Sequence, residues 1–229
     1  MQYLIFSDLH GNIDALIALL KKTENMPIDG YIFCGDITGY YYDAHRIVEI
    51  LLSLHPLYIV KGNHDELYRR LACNEIDISE LVTKFGHSYS QIDPDVVRFV
   101  SNLPQKATFH LAGYRIMLVH GSPWEPLTGR IYPDTPLPSV VPPDVDFVLC
   151  GHTHYQMYRQ WGTCKLINPG SLGQPRDGHG FSYCLLDFDC HQIIFDSVLF
   201  DLSALEKKIR RYDGENTYLR GILYRRGGK

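Results

Sequence analysis

The chain has 229 residues, 45% hydrophobic and 21% charged, enough for one substantial core and ordinary for a globular enzyme. Its formal net charge of −4 excludes a general basic field for nucleic acid, and no apolar run reaches the length of a membrane span. The six cysteines form no Cys-x-x-Cys pair and no disulfide framework, which predicts free thiols and a reducing cytoplasm. A first strand, Tyr3 to Phe6, is too short for a secretion signal and leads directly into Asp8 and His10. Asn12 is placed to cap a helix to about Thr23, with Leu16, Ile17, Leu19 and Leu20 as its apolar face. The next strand starts at Tyr31 and runs into Gly35-Asp36. A helix near Ala44 to Leu54, with Ile47, Val48, Leu51 and Leu52 inward, precedes a strand from Leu57 to Val60 and then Gly62-Asn63-His64-Asp65. Strand and helix alternating in this way predict parallel pairing through helical crossovers.

Residues 66 to 103 read as helical and more polar, a cap-like insertion over the carboxyl end of the sheet. From Lys106 the hydrophobic period changes to two, and Lys106 to Leu111 and Tyr114 to Val119 flank Ala112-Gly113 as a hairpin ending in His120-Gly121. Residues 121 to 145 are Pro-rich without periodicity, which predicts an active-site loop rather than a linker. Short strands follow, from Phe147, which leads into Gly151-His152-Thr153-His154, to Ile194-Phe195. A helix from about Ser203 to Arg211 leads into a basic, mobile tail over 212 to 229 containing Arg220, Arg225, Arg226 and Lys229. Those charges read as a solvated helix face and tail, so nucleic acid is not an expected partner. The predicted architecture is one domain over 1–229, a sandwich of two mixed β-sheets with helices outside, in the α+β or α/β class.

Five strand-like runs thus end in Asp, Asn or His, at the carboxyl ends where open α/β sheets bind ligands. Taken singly, each has a plain structural reading: an Asp can cap a helix, Gly-Asn-His-Asp can be a turn, and a lone His is usually a satisfied polar residue. Their joint occurrence points to a metal site. Five of the eleven histidines fall in these motifs: His10, His64, His120, His152 and His154. Mixed Asp, Asn and His donors suit manganese, iron or zinc and are too nitrogen-rich for calcium or magnesium alone. The candidate ligands Asp8, His10, Asp36, Asn63, His120, His152 and His154 exceed what one ion with an open position takes, so two divalent ions are implied. Manganese ranks first, with iron, zinc, nickel and magnesium as alternatives. After Asp8, Asp36 and a bridging hydroxide are counted, two such ions keep a residual positive charge that attracts phosphate. They would deprotonate a water and clamp the attacking and leaving oxygens.

Asp8-x-His10, Gly35-Asp36-x-x-Gly39, Gly62-Asn63-His64-Asp65, His120-Gly121 and Gly151-His152-x-His154 resemble the five blocks of the calcineurin-like metallophosphoesterases. Gly121-Ser122-Pro123 and the run from Asn168 to Gly178 resemble the small bacterial and archaeal phosphodiesterase branch, some of whose members are diadenosine-tetraphosphatase-like. The resemblance implies a four-layer αββα sandwich with a dinuclear centre. One ion would be held by Asp8, His10, Asp36 and His154, the other by Asp36, Asn63, His120 and His152, with Asp36 bridging. A hydroxide between the ions is the implied nucleophile. His64 matches the family's phosphate-contacting acid, able to bond a phosphoryl oxygen and protonate the leaving oxygen.

Two departures bear on substrate. Serine/threonine phosphatases and symmetrical dinucleoside tetraphosphatases of the superfamily carry an Asp-Arg pair after the bridging-Asp motif. Here Gly39-Tyr40 stands in that place, so the carboxylate partner of His64 and the phosphate-binding Arg are expected to be absent. That counts against a phosphoprotein phosphatase. Many relatives have Tyr-Gly-Pro where this chain has Tyr40-Tyr41-Tyr42, tyrosines that can stack a base or, the favoured reading, pack on the Pro-rich loop. Asn63, His64, Tyr40, Trp124 and Arg176 are the candidate substrate contacts, with Tyr132 and Arg130 able to close from the Pro-rich loop. The expected function is hydrolysis of a small phosphodiester, nucleotide or dinucleoside polyphosphate. The alternatives are a phosphomonoesterase, a nuclease, and a catalytically silent scaffold like the retromer subunit of the superfamily, which lacks ligands that are all present here. Oligomeric state is left open.

Overall fold

The computed structural model describes residues 1–140, 142, 144–214 and 216–224. In chain order the elements are β1 (Gln2–Phe6), α1 (Ile13–Thr23), β2 (Gly30–Phe33), α2 (Ala44–Ser53), β3 (Leu57–Ile59), α3 (Asn63–Ala72) and α4 (Ile78–Phe85). A single 3-10 turn, His87–Tyr89, precedes α5 (Pro94–Asn102), β4 (Lys106–Leu111), β5 (Tyr114–Val119), β6 (Phe147–Leu149), β7 (Gln156–Trp161) and β8 (Cys164–Pro169). The chain then runs through β9 (Phe181–Asp187), β10 (Gln192–Val198), α6 (Ser203–Asp213) and α7 (Thr217–Leu223).

The chain forms the expected sandwich of two mixed five-stranded sheets flanked by helices. The first has the order β10-β9-β1-β2-β3, the second β4-β5-β6-β8-β7. Strands β1, β2 and β3 run parallel, as do β5, β6 and β8, so their carboxyl ends gather along one edge of the sandwich. Alternation explains why these strands read as continuous apolar runs. Leu4, Phe6 and Phe33 pack outward on the helices, while Tyr3, Ile5, Ile32 and Cys34 meet Ile116, Leu118, Phe147 and Leu149 of the second sheet. On the second sheet's outer face, Met117, Val148 and Leu166 pack with Ile131, Val145 and Leu137, so the Pro-rich segment covers that face among the described residues.

Asn12 caps α1 by accepting from the Ala15 N–H at 3.2 Å. Ile17 and Leu52, expected on the apolar faces of α1 and α2, are exposed, because each stands a turn-fraction off the buried stripe. The basic tail expected from 212 is instead ordered as far as it is described. Helix α7 buries Leu219, Ile222 and Leu223 against the core, while Arg225, Arg226 and Lys229 lie outside the described residues. All six cysteines are free, and no helix among the described residues is long and apolar enough to cross a membrane.

Candidate metal centre

The strand ends carry their polar residues on backbone bent the left-handed way. Asp8, His10, Asp36, His152 and His154 have φ values of 55°, 50°, 65°, 65° and 63°. Such conformations cost non-glycine residues about 1–3 kcal/mol each and concentrate at functional sites. Here they turn side chains from β1, β2 and β6 toward a common point.

Three imidazoles meet two carboxylates at that point. His10 Nδ1 is 2.9 Å from the Thr38 carbonyl, His120 Nδ1 2.8 Å from that of Cys34, and His154 Nδ1 2.5 Å from that of Gln174. A carbonyl only accepts, so each Nδ1 carries the proton and each Nε2 of a neutral ring is left with a lone pair. Those lone pairs face oxygens. His154 Nε2 is 3.2 Å from Asp8 Oδ1, and His120 Nε2 is 3.2 Å from Asp36 Oδ2 and 3.1 Å from Asn63 Oδ1. His10 Nε2 lies 3.8 Å from Asp8 Oδ1, 3.7 Å from Asp36 Oδ2 and 3.2 Å from His154 Nε2. Asp8, His10, Asp36, His120 and His154 are all buried, and Asp8 Oδ1 has no hydrogen-bond donor.

Acceptors packed on acceptors away from water are costly unless a cation stands between them. A proton can do so: burial opposes charging His120, but Asp36 and Asp8 outweigh it and push the imidazole up to about 9. Divalent ions satisfy the same lone pairs together, and Nδ1–H bonds to backbone carbonyls are how ligand histidines are oriented. The donor set therefore fits divalent metal ions. Asp8, His10 and His154 make one group, Asp8, Asp36 and His120, with Asn63 beside them, a neighbouring one, and His64 joins His10 and Asp36 in a third. His152 belongs to neither: its Nε2 accepts from Arg130 Nε at 3.3 Å, and its ring meets His120 edge-on at 5.1 Å. Its backbone N–H instead donates to Asp8 Oδ2 at 3.2 Å.

Asp65 organises the centre without facing it. Its carboxylate accepts from the backbone N–H groups of Gly62, Asp36, Ile37 and Thr38 at 2.9, 3.0, 2.9 and 3.0 Å, and from the Thr38 hydroxyl at 3.2 Å. These bonds tie the loop after β2 to the start of α3 and so set Asp36 against Asn63. Burial, reinforced by Asp36, pushes the Asp65 carboxyl up to about 6 despite its donors. Gly62 is required for the approach, since a Cβ there would stand 1.9 Å from Asp36 Oδ1.

His64 is buried beside the cluster, its backbone N–H donating to Asp36 Oδ1 at 2.8 Å. Tyr40 and Phe85 flank its ring at 4.9 and 4.7 Å, and burial pushes its pKa down to about 4, only partly offset by Asp36. With Gly39-Tyr40 in place of an Asp-Arg pair, no partner was expected for this imidazole. The structure supplies one from the helical segment: Tyr89 Oη lies 2.6 Å from His64 Nδ1. Gly39, at φ 91°, makes room for the pair, since a Cβ there would come within 2.5 Å of that nitrogen.

An open cleft of about 730 Å³ lies against the cluster, lined by Asp36, Asn63, His64, His152 and His154 together with Tyr40, Phe85, Arg130, Tyr132, Arg176, Asn216 and Tyr218. Arg176 Nη2 donates to Gln174 Oε1 at 2.8 Å and to Tyr40 Oη at 3.3 Å, while its Nε is buried without a partner. Trp124 is not part of the lining: it is 52% exposed and rests edge-on against Trp161 at 5.8 Å. The tyrosine run divides. Tyr40 faces the cleft, whereas Tyr41 donates to the Leu219 carbonyl and Tyr42 to Asp213, so the latter two pack on the C-terminal helices and not on the Pro-rich loop. Asp65, Phe85, Tyr89, Asn216 and Tyr218 are site residues that sequence reasoning missed. Only Asp65 carried a signal, its place in Gly-Asn-His-Asp.

Strand-end Asp, Asn and His side chains around a cation site, under an open cleft lined by the guanidinium groups of Arg130 and Arg176, define a metallohydrolase that acts on anionic esters. Residues 1–191 match the calcineurin-like phosphoesterase superfamily domain, and the chain belongs to that superfamily, the metal-dependent phosphoester hydrolases. It is 24% identical over 203 residues to the phosphodiesterase YfcE of Escherichia coli, covering 85% of this chain and 91% of that one. The crystal structure of a metallophosphoesterase from Sphaerobacter thermophilus superimposes with a TM-score of 0.78 at 25% identity, over 97% of this chain and 98% of that one. A hypothetical protein from Pyrococcus horikoshii shares the fold at a TM-score of 0.83 and 21% identity, over 100% and 99% of the two chains.

Proposed function

We propose that the protein hydrolyses a small phosphodiester, a nucleotide or a dinucleoside polyphosphate, using two divalent ions, manganese first among them. The observation that carries this is the trio of imidazoles whose Nδ1 protons are committed to backbone carbonyls while their Nε2 lone pairs face two buried carboxylates. In this reading Asp8, His10, Asp36 and His154 would hold one ion. Asp36, Asn63, His120 and His152 would hold the other, His152 on release of its contact with Arg130. Asp36 Oδ2, 3.7 Å from His10 Nε2 and 3.2 Å from His120 Nε2, stands between the two groups as a bridge would. When bound, the ions supply a nucleophilic water of lowered pKa and Lewis acidity for the phosphoryl oxygens.

The chain's own residues do the rest. His64 faces the cleft and donates to a phosphoryl or leaving oxygen. Arg176, with no acidic partner among the described residues and a spare Nε–H, binds a phosphate oxygen, and Arg130 on the Pro-rich loop can meet a second one. Tyr40 and Tyr218, their rings 6.5 Å apart, offer a face to a base or aryl group. The missing Asp-Arg pair disfavours a phosphoprotein phosphatase, and the likeness to the E. coli phosphodiesterase favours diesters. The free thiols suit a reducing compartment, and we place the protein in the cytoplasm.

The test is kcat/KM for an aryl diester, a dinucleoside tetraphosphate and a sugar monophosphate at saturating manganese. The first two are expected to win. A sugar phosphate ahead by about tenfold or more, equivalent to about 1.4 kcal/mol of transition-state binding, would move the assignment to a phosphomonoesterase.

A further inference from the structure

We infer that Tyr89 is the positioning residue for His64, fixing the tautomer in which Nε2 carries the proton and presents it to the cleft. The inference rests on the proposed role of His64 as donor to the leaving oxygen. Tyr89 is fully buried, so its hydroxyl proton must go to an acceptor. Among the described residues its one hydrogen-bond partner is His64 Nδ1, 2.6 Å away. The phenol therefore donates and Nδ1 accepts. An imidazole that accepts at Nδ1 carries its proton at Nε2. With Nδ1 turned to Tyr89, Nε2 is the nitrogen left for the cleft that His64 lines.

The opposite arrangement, Nδ1–H donating to the phenol oxygen, would leave a buried O–H with no acceptor. It would also leave Nε2 as a lone pair, which a phosphoryl oxygen repels. His10, His120 and His154 show the contrast within the same site. Their Nδ1 atoms face carbonyls, which only accept, and so their Nε2 atoms are lone pairs suited to a cation. His64 alone of these imidazoles faces a donor. One hydroxyl thus gives His64, which lies beside His10 and Asp36, the opposite tautomer from the three imidazoles whose Nε2 lone pairs suit a cation.

The fold holds Tyr89 in place. Its ring packs on Phe85 and Tyr68 at 6.0 and 6.1 Å. Tyr68 Oη in turn donates to the Gln91 carbonyl and accepts from the Asp93 N–H, which pins the chain just after Tyr89. The segment between α4 and α5 therefore reaches His64 through Tyr89, by its hydroxyl and its stacked ring.

Heteronuclear nitrogen–proton NMR of the His64 ring, in metal-free and manganese-substituting zinc-loaded protein, reads the tautomer directly. The wild type is expected to show Nε2–H, and Tyr89→Phe a mixture. Tyr89→Phe should lower kcat about tenfold for a dinucleoside monophosphate, whose leaving alkoxide needs a proton, with KM unchanged. For bis-nitrophenyl phosphate, whose leaving group needs none, the change should stay within about twofold. In a His64→Ala background Tyr89→Phe should have no further effect. A wild-type ring protonated at Nδ1, or an equal loss with both substrates, overturns the inference. If Tyr89→Phe fails to fold, fluorotyrosine at position 89 replaces it, and an unmoved His64 Nδ1 resonance then overturns the inference too. If His64→Ala itself leaves dinucleoside hydrolysis unchanged, the acid role fails and not the pairing seen by NMR.

Discussion

The metal cluster and the cleft above it are built by opposite means. Asp8, His10, Asp36, His120 and His154 each stand within a few residues of a strand's carboxyl end, buried, and the three histidines have their Nδ1 protons tied to backbone carbonyls. The cleft wall is assembled from helices and loops far apart in the chain. Tyr89 meets His64 from the helical segment, Arg176 meets Tyr40 across 136 positions, and Tyr218 comes from a helix beyond the matched superfamily domain. The two sheets hold the first region rigidly, so it serves chemistry common to many substrates. The second depends on side-chain packing and is free to select one. Loss of a cluster residue should abolish the reaction, and loss of a wall residue should change what is cleaved or how well it binds.

The largest effect is expected for Asp36→Asn, which removes a charge from the point between His10 and His120. Turnover should fall by more than about 100-fold, the upper end for mere outer-shell changes, with loss of bound metal. Elemental analysis showing at most one ion per active wild-type chain would break the two-ion reading. Next comes His64→Ala, with kcat down about 10²–10⁴ and metal content kept; a metal-free variant would instead move His64 into the cluster. Asp65 joins the two regions, and Asp65→Ala strands four backbone N–H groups. We expect about 3 kcal/mol or more off the unfolding free energy by urea titration and a metal affinity about 10–100-fold weaker. An unaltered affinity would mean that the loop after β2 is held by its strand alone.

The wall gives smaller effects. Tyr218→Ala should raise KM for an aryl or nucleoside diester about threefold to tenfold with kcat unchanged, as loss of one aromatic face would. A fall in kcat instead would place the C-terminal helix in the chemistry. The smallest change belongs to Trp124→Ala. Its ring rests on Trp161 outside the cleft, so kcat/KM for any of these substrates should stay within about twofold.

The sequence by itself determined the sandwich and the place of its site. Strands of the sheets' centres are buried on both faces and so read as apolar runs, and the Asp, Asn and His that follow them are local in the chain. For that reason Asp8, His10, Asp36, Asn63, His120 and His154 were legible before any coordinates. Pairings across the chain were not. A phenol 25 residues from its imidazole leaves no periodicity to read, and neither does an Asp65 carboxylate that gathers backbone N–H groups from another loop. Composition made the chain's end look like a solvated tail, because basic residues cluster there. Only the tertiary structure decided that Leu219, Ile222 and Leu223 share one face and find a core to cover, which brings Tyr218 to the cleft. Trp124 lies outside the cleft for the same reason in reverse: whether an aromatic ring on a loop reaches a site depends on which neighbour it meets first, and here that neighbour is Trp161.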